Sequence, residues 1–154
     1  MGAHRASPLG PGSKVARFLQ PMLVDLLALV LNGRQALWHL RGHQRVRFRL
    51  ELLVSDAWRF ADEVAARMVS LGVPADGRPS TVTTTTSVPE LVAGFLTEDK
   101  TVSAVVDQVE AVLARARDAV ACLAEVDPVS RGVAVDLVRR LESHRVVLVG
   151  RQPL

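Results

Sequence analysis

Apolar residues recur at three- and four-residue steps over several long stretches of this chain, a period that suits helices and excludes strands as the main elements. From Lys14 to Arg41 the period is kept by Val15, Phe18, Leu19, Met22, Leu23, Leu26, Leu27, Val30 and Leu31, which predicts one long helix with a broad apolar face. A second helix is predicted from about Val46 to Leu71. In a third, Val105, Val109, Val112, Ala116, Val120 and Leu123 form one stripe, with Asp107, Glu110, Arg115 and Arg117 largely off it. Asp127 followed by Pro128 reads as an N-cap with proline in the first helical position, opening a fourth helix through about Val149. Four long helices with a long connection between the second and third predict an all-α four-helix bundle over residues 14–150, behind a flexible tail over residues 1–13.

The punctuation fits that reading. Gly2, Pro8, Gly10, Pro11 and Gly12 deny the first residues regular structure, and Ser13 is the expected cap of the first helix. Gly42 and Gly72 are the expected stops of the first two helices. Pro21 either kinks the first helix or falls in its first turn if the helix starts near Gln20, and Asn32 and Gly33 weaken the pattern further on. The connection PADGRPSTVTTTTSVPE is rich in proline and β-branched threonine, which disfavour helix.

Composition limits the function classes. Aromatic residues make up 4% of the chain and tyrosine is absent, so the core must be packed from Leu, Val and Ala. A formal charge of +3, almost all from arginine, permits contact with nucleic acid without requiring it. The single cysteine, Cys122, excludes an internal disulfide and any Cys-rich zinc site, and its apolar neighbours predict a buried structural thiol. The first residues lack a signal-peptide pattern, and the apolar run Met22 to Leu31 is broken by Asp25 and too short for a bilayer. The expectation is a cytoplasmic protein without a membrane partner.

Three phrases in order, RQALWHLRG from Arg34, DEVAARMVSLG from Asp62 and PADGRPSTVTTTTSVPE from Pro74, resemble the Dps mini-ferritins, the DNA-protection-during-starvation proteins. Members read KQAHWNxRG, DxxAERxxxLG and PDGRxxTVxxxT at these places. DPVS at Asp127 and LESHRVVLVG at Leu141 extend the likeness, although the family's Trp in the last phrase is Val146 here. The resemblance implies a ferritin-like bundle with a short extra helix in the long connection, placed at Pro89 to Gly94. It also implies a hollow homododecamer, an iron-oxidising site between two subunits and electrostatic binding of DNA.

The five family ligand positions fall on Leu37, Arg47, Glu51, Asp62 and Ala66 when the second helix is counted back from Asp62. Counting forward from Trp38 gives Arg49 and Leu53 in the second and third places instead. Neither register supplies a histidine. Glu51 and Asp62 remain as metal-ligand candidates; a leucine and an alanine cannot ligate, and a guanidinium repels a cation. His39 points about 200° away from residue 37 on a helix and cannot take its place. The same residues allow Arg47 to pair with Glu51 one turn along, or with Asp62 of a neighbouring subunit. No cofactor follows from the residues themselves, and iron enters only through the resemblance.

For DNA, the candidates are Arg5, Lys14 and Arg17 near the start and Arg41 and Arg45 around the first turn; Arg47 and Arg49 point to different sides of the helix. The preferred expectation is a Dps-like cage that binds and protects DNA under stress without a working ferroxidase site, associated with the nucleoid. The alternative is an iron-oxidising, iron-storing mini-ferritin with a site rebuilt from Glu51, Asp62 and His43 or His39. A third reading is a subunit that co-assembles with an active Dps paralogue.

Overall fold

The computed structural model describes residues 10–150, so the tail residues before them, Arg5 included, lie outside the described part. The order is α1 (Pro11–His39), α2 (Gln44–Ser70), a short α3 (Pro79–Thr85), α4 (Glu98–Cys122) and α5 (Pro128–Val149). Short turns make α1 with α2, and α4 with α5, into hairpins. α1 packs on α4 and α2 on α5, closing a four-helix bundle, while the long connection carrying α3 runs against α1.

Helix starts follow local chemistry, with one correction. α1 begins at Pro11 with Gly10 as its cap, and the Ser13 N–H donates to the Gly10 carbonyl at 2.9 Å, so Ser13 lies inside the first turn. α1 also runs unbroken through Pro21, Asn32 and Gly33 and stops at His39, two residues short of Arg41. Tertiary packing keeps it helical through these weak points: Leu19, Met22, Leu26 and Leu29 are fully buried. Gly33 has a separate reason, since a Cβ there would stand 2.4 Å from Val54 Cγ2 on α2. Asp127 caps α5 as expected, accepting from the Val129 N–H at 3.2 Å. Gly72 follows the Leu71 cap with φ of 76°, the left-handed conformation that ends helices. α1 has already ended at His39 with Leu40 extended, so Gly42, at φ of 78°, turns the chain in the connection rather than stopping the helix.

Helix α1 is long and apolar enough, by length and composition, to cross a membrane. The run from Met22 to Leu31 understates it, because the helix extends well beyond both ends. Its apolar face is turned into the bundle, although Leu31 at 62% exposure is not.

The extra helix lies ten residues earlier than expected. Residues 89–94 are irregular, whereas the threonine run is helical. Pro79 starts α3, Val82 anchors it in the core, and the hydroxyls bond back along it: Thr84 to the Ser80 carbonyl at 2.8 Å and Thr85 to the Thr81 carbonyl at 2.7 Å. These bonds satisfy the hydroxyls inside the helix and offset the β-branched penalty. Cys122 is exposed, against expectation; the next residue, Leu123, is the fully buried one, a 100° step round the helix.

Two polar clamps fix the connection. Gln20 on α1 donates to the Asp76 carbonyl at 2.7 Å and accepts the Asp76 N–H at 3.0 Å. The Asp76 carboxylate takes bonds from Arg78 and Thr81, which hold it well below the usual carboxylate range. Further on, the fully buried Asp25 accepts from Thr86 Oγ1 at 2.9 Å and the Ser87 N–H at 2.8 Å, with the Arg115 guanidinium of α4 at 3.3 Å. The phrase DGRPSTVTTTTS is therefore a scaffold element.

Candidate functional site

α1 presents one of the five positions that the resemblance marks and α2 the other four, which are all exposed. Leu37 is 2% exposed and its side chain belongs to the core. One turn into α2, Arg47 lies across it: Nη1 donates to the Leu37 carbonyl at 2.9 Å and Nε stands 3.2 Å from Glu51 Oε1. Two residues on, Arg49 reaches the other way, donating to the Val147 carbonyl of α5 at 2.7 Å. Counting back from Asp62 thus places a guanidinium beside residue 37, and Arg47 and Arg49 do diverge. The Arg47–Glu51 pair expected at one helical turn is formed.

Asp62 and Ala66 are both exposed, and Asp62 has no hydrogen bond or ion pair among the described residues. It lies three helical turns beyond Glu51, roughly 16 Å along the axis, so within one chain the two carboxylates are not brought together. Among the described residues no three His, Cys, Asp or Glu side chains are grouped to hold a metal ion. One buried leucine, one alanine, one arginine and two carboxylates, with no imidazole among them, do not fit iron, which takes oxygen and imidazole ligands.

The histidines named for a rebuilt site are engaged elsewhere. His39 Nδ1 lies 3.0 Å from the Gln35 carbonyl, and its ring meets Phe95 edge-on at 4.9 Å. His43 pairs with Glu98 at the start of α4. It nevertheless lines the same cleft of ≈ 340 Å³ as Arg47, Phe48 and Glu51.

The basic candidates form two groups. Lys14 and Arg17 are exposed near the start of α1, and Arg41 and Arg45 are exposed at the turn into α2. They are separated by nearly the whole of α1, roughly 40 Å at 1.5 Å per residue. Arg41 lies over the Phe95 ring at 5.6 Å.

Charged side chains paired across long sequence separations tie α2 to α5 and to its cap. Asp127 accepts from Arg67 Nη2 at 2.9 Å and Ser130 Oγ at 2.5 Å. Burial pushes its carboxyl up, but these bonds outweigh it and hold the group below its ordinary value. Asp56 on α2 is held the same way: burial raises it, while bonds from His144 at 2.6 Å and Arg140 at 2.5 Å on α5 lower it further. Partners that lie 60 to 88 residues apart leave no local sequence signal.

No family model matches the chain. DNA protection during starvation protein 2 of Deinococcus radiodurans is 30% identical over 136 residues, 86% of this chain and 56% of that relative. The chain thus spans little more than half the length of this curated relative. Among solved structures, Dps from Microbacterium arborescens in its high iron form is 35% identical with a TM-score of 0.86, covering 96% of this chain and 97% of its own. Dps92 from Deinococcus radiodurans is 28% identical with a TM-score of 0.81, covering 91% and 86%.

Proposed function

This chain belongs to the Dps family of DNA-protection-during-starvation proteins, and on that footing we propose that it assembles into a closed cage that binds DNA and does not oxidise iron at the family's inter-subunit position. The observation that carries the reading is Arg47, held between the Leu37 carbonyl and Glu51. A fixed positive charge there opposes Fe(II), and the neighbouring positions, Leu37 and Ala66, offer no lone pair. Self-assembly is supported by the apolar side chains left in solvent on α1 and α2, among them both tryptophans of the chain.

DNA binding is supported by the net charge and by the two exposed basic groups. Each group is small, so affinity depends on repetition over many subunits, where weak phosphate contacts act together. We place such a cage in the cytoplasm at the nucleoid.

One observation favours a second reading, iron oxidation at a rebuilt site: His43 and Glu51 line a common cleft. The relative from Microbacterium arborescens is itself known in a high iron form. A ferrous-oxidation assay with oxygen or peroxide separates the two. Turnover at the buffer background is expected; turnover well above it that is lost in Asp62→Ala overturns the preferred reading.

A further inference from the structure

Between α2 and α5 lies a cleft of ≈ 490 Å³, lined by none of the five positions that the resemblance marks. Its volume is in the range of about 300–1,000 Å³ usual for small-molecule sites. The lining is charged: Arg59 and Glu63 come from one turn of α2, and Asp136, Arg139 and Arg140 from α5. The three- and four-residue steps from Asp136 put both of its arginine neighbours on the same side of that helix. Phe60, 2% exposed, completes the lining from the core side. We propose that this cleft binds a phosphate group, as the free anion or as a monoester, through the guanidinium groups of Arg59, Arg139 and Arg140.

The balance of charge favours an anion, because three guanidinium groups in the lining meet two carboxylates. Glu63 is already neutralised by Arg59 Nη1 at 2.6 Å. Asp56, beside the cleft, is taken up by Arg140 Nε at 2.5 Å and His144 Nε2 at 2.6 Å. Asp136 is the one carboxylate of the lining left to oppose an anion, and it has no partner among the described residues. The Arg139 guanidinium has none either, so its full set of donors is open to a ligand.

The hydrogen-bond inventory favours phosphate. Arg59 and Arg140 each spend one donor on a carboxylate and keep the others. The Phe60 ring steadies Arg59 from below, with Cζ 4.4 Å from its centroid. Groups anchored by one edge lose less side-chain freedom when a ligand arrives. Arginine forks match phosphate oxygens, and a tetrahedral anion accepts from several directions at once, which suits donors carried by two helices. These cations line a recess within one chain, so the site takes a small ligand and does not depend on assembly.

Calorimetric titration of the whole protein with inorganic phosphate, and separately with a nucleoside monophosphate, tests the site in chloride buffer at constant ionic strength. Saturable binding of one ligand per chain is expected, weakening as salt rises because Arg59 and Arg140 are about half exposed. Equal affinity for the two ligands assigns the cleft to free phosphate, and tighter binding of the nucleotide assigns it to a monoester. Arg139→Gln removes an exposed, partnerless cation, so the fold is kept, and binding is expected to weaken about tenfold or more. Asp136→Asn is expected to strengthen binding several-fold, since the opposing charge is gone. Lys100→Gln makes the same charge change outside the cleft and is expected to leave binding as it was. No saturable heat up to about 10 mM of either ligand overturns the proposal, as do equal losses in Arg139→Gln and Lys100→Gln. Displacement of bound phosphate by a duplex oligonucleotide also overturns it, because the arginines would then belong to a nucleic-acid surface.

Discussion

Asp127 does several jobs at one position: it caps α5, accepts from Ser130 and receives the Arg67 guanidinium across 60 residues of chain. Replacement by Ala removes a cap and leaves a partly buried arginine unpaired, which should cost about 2–3 kcal/mol in a denaturant titration. Asp25 has a comparable place on the other side of the bundle, holding the connection through Thr86 and Ser87. The pH dependence follows from Asp56 and Asp127, whose folded-state values lie below their unfolded ones. Their contribution is therefore complete above the unfolded carboxyl value of about 3.9 and is lost as pH falls through the folded values. The thermal midpoint of the wild type should be steady between about pH 5 and 7 and drop below about pH 4. In Asp127→Ala the midpoint should start lower and fall less steeply.

At the scale of elements, the α1–α2 hairpin depends on close approach. Gly33→Ala puts a Cβ 2.4 Å from Val54 Cγ2, so either the Val54 side chain or one of the two helices must shift. The expected loss is about 1–3 kcal/mol, partly recovered in the Gly33→Ala, Val54→Ala double variant. Additive losses in that cycle would show that the two side chains do not collide. α3 shows the limit of propensity: four consecutive threonines from Thr83 to Thr86 argue against helix, yet the first three are helical. Carbonyls one turn back accept their hydroxyls, and Val82 reaches the core, so the local penalty is offset by contacts that a propensity scale does not contain.

Across the whole molecule, the described DNA-binding candidates Lys14, Arg17, Arg41 and Arg45 fall at opposite ends of α1, which bears directly on how DNA is held. A gel-shift series at rising salt should show affinity falling steeply, since released counterions drive binding to phosphates. Lys14→Gln with Arg17→Gln, and Arg41→Gln with Arg45→Gln, remove one group each. The pair that forms the DNA-facing surface should weaken binding and flatten the salt dependence, and the other pair should leave both unchanged. No shift at low salt for the unaltered protein would remove DNA from the proposal.

Four helices, their order, the stop at Gly72 and the Asp127 cap were legible in the sequence, because amphipathic period and end signals act within a few residues. The family, too, could be read from contiguous phrases. Of the marked positions, the sequence supplied the identities Leu37, Arg47, Glu51, Asp62 and Ala66, and it allowed the Arg47–Glu51 pair because the two lie one turn apart. It misplaced the short helix, started α1 three residues late and buried Cys122, since each of those depends on packing around the element rather than on its own pattern. Only the tertiary structure decided that Arg47 spans to the Leu37 carbonyl and that Asp62 is exposed with no partner among the described residues. Both facts depend on how α1 and α2 lie against each other, a relation between segments that no local spacing encodes.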